Sequence, residues 1–190
     1  LLVTDLGNDT VTVYSYNASA IVPLQLIHTE KMNGGSGPRH LVFSKNGKYV
    51  YVLNELTSTI TSFNFAFGKL YSPVQTETLP KAFAGKTGSA EILISPDGKF
   101  LYASNRGDVN TISGYKILRN GALQFVAENS TLGKGPRSFT IDPNGKYLLV
   151  GNQQSNEIVV FNRNLRTGIL TDTKKRILVC APACLVFVGK

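Results

Sequence analysis

The chain has 190 residues, of which 42% are hydrophobic and 17% charged, a balance that excludes a disordered chain and allows a sizeable core. No apolar run approaches the ~18 residues of a membrane-crossing helix, so no membrane partner is expected. The formal net charge is +8, yet aromatic residues do not interleave with the basic ones and Lys174-Lys-Arg176 is the sole basic run, which excludes a nucleic-acid platform and suits an anionic small molecule.

In chain order, one phrase occurs four times: a strand ending in a small polar residue, a loop, and a strand closing on an aromatic. It runs Asp5 to Tyr14, Asn54 to Phe63, Asn105 to Tyr115 and Asn152 to Phe161. Turns precede the last three copies, at Ser44-Lys-Asn-Gly47, Ser95-Pro-Asp-Gly98 and Asp142-Pro-Asn-Gly145. A period of roughly fifty residues carried by short strands indicates β-propeller blades. Leu1 to Asp5 aligns with Val50 to Asn54, so the chain is expected to open inside a strand, with further blades before it.

The first whole unit runs from Gly37 to about Thr78. Its strands are predicted at Leu41–Phe43, Tyr49–Leu53, Thr59–Phe65 and Val74–Glu77, on β-branched and aromatic content and alternation. Gly47 supplies the positive φ of the first hairpin. The next unit repeats this at Ile92–Ile94, Phe100–Ala103, Thr111–Tyr115 and Leu123–Val126. Most of another blade follows, and a final strand is predicted at Cys184–Phe187. No stretch shows helical periodicity. The reading is all-β: residues 1–190 form a single partial β-propeller domain, about four blades of four antiparallel strands in a larger ring.

Cys180 and Cys184, the only cysteines, lie beyond disulfide reach in an extended segment. Two buried, reduced thiols are expected, which favours a reducing, cytoplasmic setting. No residue cluster has metal-ligand spacing, and neither metal nor cofactor is expected. Gly85-Lys-Thr87 resembles the end of a phosphate loop but has Pro80 where that motif opens with glycine. Gly34-Gly-Ser-Gly37 lacks the spacing of a nucleophile elbow.

Antiparallel meanders place alternate connections at opposite ends of a sheet. The glycine turns at Asn46, Asp97 and Asn144 therefore share one face of the ring. Gly37-Pro-Arg-His40, Asn54-Glu55, Ala90-Glu91, Asn105-Arg106, Gly135-Pro-Arg-Ser138 and Asn152-Gln153 share the other, around one mouth. Comparing repeats separates fold from chemistry. The position of Asp5, Asn54, Asn105 and Asn152 barely varies and suits turn capping by side-chain hydrogen bonds. The next position reads Leu6, Glu55, Arg106, Gln153, and a position that changes charge beside a constant one does not serve the blade. The leading ends of the inner strands vary likewise: Arg39-His40, Ala90-Glu91, Arg137-Ser138 and Ala183-Cys184. Arginines at one mouth suit an anionic ligand, because guanidinium grips carboxylate or phosphate bidentately. His40 is as well read as a hydrogen-bonded core residue as an acid–base group, and His28 as structural.

Through Gly37-Pro-Arg-His40, Asn54-Glu55, Ser95-Pro-Asp-Gly98 running on to Asn105-Arg106, Gly135-Pro-Arg137 and Asn152-Gln153, the chain resembles the propeller lactonases. That family includes bacterial-type 6-phosphogluconolactonase and carboxy-cis,cis-muconate cyclase. The resemblance implies a seven-bladed ring of which this is the C-terminal half. It implies hydrolysis of a sugar-acid lactone, with 6-phospho-D-glucono-1,5-lactone of the pentose phosphate pathway as leading substrate; lactone formation on a carboxymuconate and a non-catalytic interaction module are the alternatives. The implied catalytic set is Arg39, Glu55 and Arg106, with His40, Glu91, Asn105, Arg137 and Gln153 as substrate-binding candidates. The family also uses a histidine one blade earlier, at a slot that falls before Leu1, so this stretch alone is expected to be inactive.

Overall fold

A computed structural model describes residues 1–80 and 83–188, and every regular element among them is a β-strand. Four antiparallel sheets follow one another along the chain. The first has three strands, β1 (Leu2–Asp5), β2 (Thr10–Tyr16) and β3 (Leu24–Lys31). The second comprises β4 (Pro38–Phe43), β5 (Tyr49–Asn54), β6 (Thr59–Ala66) and β7 (Lys69–Glu77). The third comprises β8 (Thr87–Ile94), β9 (Phe100–Gly107), β10 (Thr111–Ile117) and β11 (Leu123–Ser130). The fourth comprises β12 (Pro136–Ile141), β13 (Tyr147–Asn152), β14 (Glu157–Arg163) and β15 (Leu170–Leu178). Each strand pairs with its neighbour in sequence, the meander of a propeller blade. Asp5 pairs with Thr10 as Asn54 pairs with Thr59, so β1 corresponds to the second strand of a blade.

The core lies between blades, which is why the middle strands are apolar on both faces. Val11, Val50, Val52, Phe63 and Leu70 fill the first junction. Tyr51, Leu53, Ile60, Ile92, Leu101 and Tyr115 fill the second. The third is the largest, with Phe100, Tyr102, Ile112, Phe139, Leu148 and Phe161 among its members. Each such side chain contributes on the order of 1.5–3 kcal/mol through burial.

Two polar devices repeat between blades. Tyr51 donates its buried hydroxyl to the Gly121 carbonyl, and Tyr102, three residues before Asn105 as Tyr51 is before Asn54, donates to Gly168 at 2.7 Å. Both acceptors sit at positive φ in the outer hairpin of the next blade. Asp9, Ser58, Asn110 and Asn156 also share a position at positive φ, after the second strand. Their side chains reach the loop that leads into the next inner strand: Asp9 accepts from the Gly35 and Gly37 amides, Asn110 from Gly135, Asn156 from Ala181, and Ser58 meets Thr87. Gly34-Gly-Ser-Gly37 is thus a blade-to-blade tie.

Three expectations are corrected. Cys184–Phe187 forms no strand, since no second strand follows among the described residues to supply its ladder; Leu185 instead donates its amide to Ser138 Oγ at 3.3 Å. Cys180 and Cys184 are exposed, not buried, because the described segment after β15 joins no sheet. Turn capping holds for Asp5, which accepts the Asn8 amide, but not for its equivalents. Asn54 donates to the Thr59 and Thr61 hydroxyls on β6, and Asn152 to the Thr131 carbonyl. These asparagines are buried at strand ends, and their amides bond to the neighbouring strand or the preceding segment.

Candidate functional site

Strand register places the arginines at one end of the sheets. Pro38 pairs with Asn54 while Phe43 pairs with Val50, so Arg39 and Glu55 lie at the end opposite the Asn46 turn. Gly88 pairs with Arg106 and Pro136 with Asn152 at the same end of their blades.

Each inner strand carries a bulge where its candidate residue stands. The ladder skips Arg39 between Pro38 and His40, Arg137 between Pro136 and Ser138, and loses register between Ser89 and Ile92 around Ala90-Glu91. A bulge adds a residue to one strand and re-aims its side chain. It also frees backbone groups that need new partners. The Thr4 hydroxyl donates to the Arg39 carbonyl at 2.7 Å, and the Glu91 amide donates to the buried Ser104 hydroxyl at 3.0 Å. The repeat comparison missed these bulges, Thr4 and Ser104; proline just inside the strand, at Pro38 and Pro136, is the readable signal, since proline is confined to strand starts and bulges.

Glu55 is the hub. Its Oε2 meets Arg39 Nε at 3.0 Å and its Oε1 accepts from Arg106 Nη2 at 2.5 Å, joining neighbouring blades. The three side chains are 16–24% exposed, half-sheltered but reachable. Arg106 Nε also donates to the Gly88 carbonyl, and Arg39 Nη1 to the Ala90 carbonyl. Burial pulls the Arg39 pKa below its ordinary value; Glu55 opposes this, while Arg106 and Arg137 add repulsion. The charges predicted to gather therefore act on one another.

His40 Nδ1 lies 2.8 Å from Glu91 Oε1, and this pair borders Arg39. Arg137 and Gln153 are half-buried, and their side chains have no hydrogen bond or ion pair with the described residues. Asn105 is a correction. It is fully buried, its Oδ1 accepts from Thr78 and Ser89, and its Nδ2 donates to the Thr78 carbonyl, so it locks the blade and does not face the mouth. His28 pairs with Glu30 on the outer strand, as its structural reading expects.

Below the arginines an open cavity of about 460 Å³ runs along β1, β4 and β8, lined by Leu2, Thr4, Arg39, His40, Glu91 and Leu93 among others. Grooves of about 220 and 260 Å³ lie between outer strands and hold none of the candidate residues. Among the described residues no group of three or more His, Cys, Asp or Glu could hold a metal ion.

The family description "Lactonase, 7-bladed beta-propeller" matches residues 1–187. A 6-phosphogluconolactonase of Formosa agariphila is 42% identical over 183 residues, covering 94% of this chain and 52% of the relative. A crystal structure of a Bacteroides fragilis protein with a provisional 6-phosphogluconolactonase name superposes with TM-score 0.91 at 40% identity, covering 99% of this chain and 54% of the other. The periplasmic gluconolactonase of Pseudomonas aeruginosa superposes with TM-score 0.92 at 35% identity, covering 99% and 53%. The chain spans about half the length of these relatives. Sheets, register and match agree, and the chain belongs to the seven-bladed β-propeller lactonase family.

Proposed function

We propose that the protein hydrolyses an anionic sugar-acid lactone, with 6-phospho-D-glucono-1,5-lactone as the leading substrate. The observation that carries this reading is Glu55 holding Arg39 and Arg106 together across two blades of a lactonase propeller. Arg39 Nη2 and Arg106 Nη1 keep N–H groups without a partner among the described residues. Donors fixed in this way suit a lactone carbonyl, whose oxygen gains negative charge as water adds. With both oxygens engaged, Glu55 serves as the clamp that orients them. Of the arginines at the mouth, Arg137 has no carboxylate partner among the described residues, and a phosphate would take it bidentately. Gln153, at the position equivalent to Glu55, offers an uncharged amide for a sugar hydroxyl. Two exposed, unpaired cysteines fit a reducing, cytoplasmic setting.

A second reading, hydrolysis of unphosphorylated gluconolactone, is favoured by the similarity to the Pseudomonas gluconolactonase. Turnover of both lactones by the native-length protein, with spontaneous hydrolysis subtracted, separates the two. A charge-assisted contact of about 1.5–3 kcal/mol predicts that Arg137→Ala raises KM for the phosphorylated lactone roughly tenfold or more and leaves gluconolactone unaffected. Preference of the native protein for gluconolactone supports the second reading, and turnover of neither lactone refutes both.

A further inference from the structure

The proposed hydrolysis needs a group to take the proton of the attacking water; within this chain Glu55, with both oxygens engaged, is poorly placed to do so, and the histidine that the family resemblance implies falls before Leu1. We infer that His40 and Glu91 form a proton-accepting dyad in the mouth, an inference that rests on the lactonase reading above. Glu91 Oε1 lies 2.8 Å from His40 Nδ1 and also accepts the Ile92 amide at 3.3 Å, so the carboxylate is held in place on its own bulge. A carboxylate facing Nδ1 accepts a hydrogen bond from it, which fixes the ring proton on Nδ1 and leaves the lone pair on Nε2. Arg39 does not occupy that lone pair. Its Nη1 is 3.1 Å from Nδ1 and 3.0 Å from Nε2. The two nitrogens flank one carbon, so a group equidistant from both rests against the ring and does not lie along either lone pair. Guanidinium packed on an imidazole face is a familiar arrangement for arginine.

The His40 side chain is 41% exposed and lines the 460 Å³ cavity, whereas Glu91 is 18% exposed. The ionisable groups lining that cavity are Arg39, His40 and Glu91; β1 brings Leu2, Val3 and Thr4, and Glu55 and Arg106 stand behind Arg39. The side chains form one chain, Arg106–Glu55–Arg39–His40–Glu91, with donors for a carbonyl oxygen at one end and an acceptor for a water proton at the other. In the step assigned here, the water oxygen bonds to the lactone carbonyl carbon as one of its protons passes to His40 Nε2. The carbonyl oxygen, now negative, is held by the free N–H groups of Arg39 and Arg106. As the carbonyl re-forms, the bond from carbon to ring oxygen breaks and that oxygen takes the proton from Nε2. The new acid loses its own proton to solvent, which leaves the hydroxy acid as a carboxylate and His40 neutral.

Two measurements on the native-length protein test the dyad. Nitrogen NMR of imidazole-labelled protein reads the His40 tautomer without any assay: neutral His40 is expected with its proton on Nδ1, and Glu91→Gln is expected to lose that preference. A proton on Nε2 in the unaltered protein overturns the dyad, whether or not any lactone is turned over. In hydrolysis, His40→Gln is expected to lower kcat about 100-fold or more, in the range of general base catalysis, with KM within about threefold. The acid limb of the pH–rate profile should vanish with it. Glu91→Gln should lower kcat less and leave KM alone. A His40→Gln protein with unchanged kcat and acid limb refutes the assignment. Absence of lactone turnover in the unaltered protein refutes the lactonase reading, and the NMR result still decides the tautomer.

Discussion

Replacing Glu55 by Gln is the sharpest perturbation of the arginine clamp. The amide has almost the shape of the carboxylate, but it removes the charge and turns an NH2 group toward either Arg39 Nε or Arg106 Nη2, donor against donor. Exposed ion pairs contribute about 0.2–1 kcal/mol, while breaking a fully buried one costs about 3–5 kcal/mol. With exposures of 16–24% and contacts of 3.0 and 2.5 Å, this site falls between those limits. A loss of about 2–3 kcal/mol is expected, which urea unfolding detects as a midpoint lowered by roughly 1 M at an m-value of about 2–3 kcal/mol/M. The catalytic effect should be larger. Each guanidinium loses the anchor that aims its free N–H groups, and removing one oxyanion donor lowers kcat by about 10²–10³. Lactone hydrolysis followed by acid release should therefore show a kcat drop of that size with a modest change in KM. Because Arg106 and Glu55 touch, Arg106→Ala and Glu55→Gln should combine less than additively. Glu55→Gln that keeps both urea midpoint and kcat, or strict additivity with Arg106→Ala, refutes the clamp.

Tyr102→Phe leaves the Gly168 carbonyl without its buried partner and should destabilise by about 1–2 kcal/mol in urea. No loss would mean that the blade junction rests on apolar packing alone. Burial pushes the Tyr102 pKa up from 10.0 to about 12, a folded value above the unfolded one, so the stability linked to its proton is present below pH 10 and lost toward pH 12. The Gly37 and Gly35 amides hold the Asp9 carboxyl below the usual carboxylate range, so its contribution is present above that range and lost on further acidification. Asp9→Asn should therefore destabilise at pH 7 and progressively less as acidification protonates the carboxyl in the folded protein; a deficit that does not shrink on acidification refutes a charge-dependent tie.

The blade architecture was readable from sequence because it is local. A strand of five or six residues, a glycine that must adopt positive φ at Gly47, Gly98 and Gly145, and alternation to an aromatic are all short-range signals, and repetition multiplied them. The same repetition exposed Glu55 and Arg106, since a charge that changes beside a constant asparagine cannot be blade structure. Which strand ends share a face followed from meander connectivity alone. What lay beyond reach depends on partners distant in sequence, 16 to 51 residues away. The buried position of Asn105 could not be seen, because Thr78, 27 residues back, comes from the segment that follows the previous blade, and Ser89 meets it only through the β8–β9 register. Nor could the pairing of Glu55 with Arg39 as well as Arg106, or of His40 with Glu91, because these contacts depend on the bulge at Arg39 and on how neighbouring sheets are rotated about the axis. The bulges set that rotation for single side chains. A bulge changes which way a residue points without changing the hydrophobic pattern, and so the arrangement of the mouth was decided by tertiary structure.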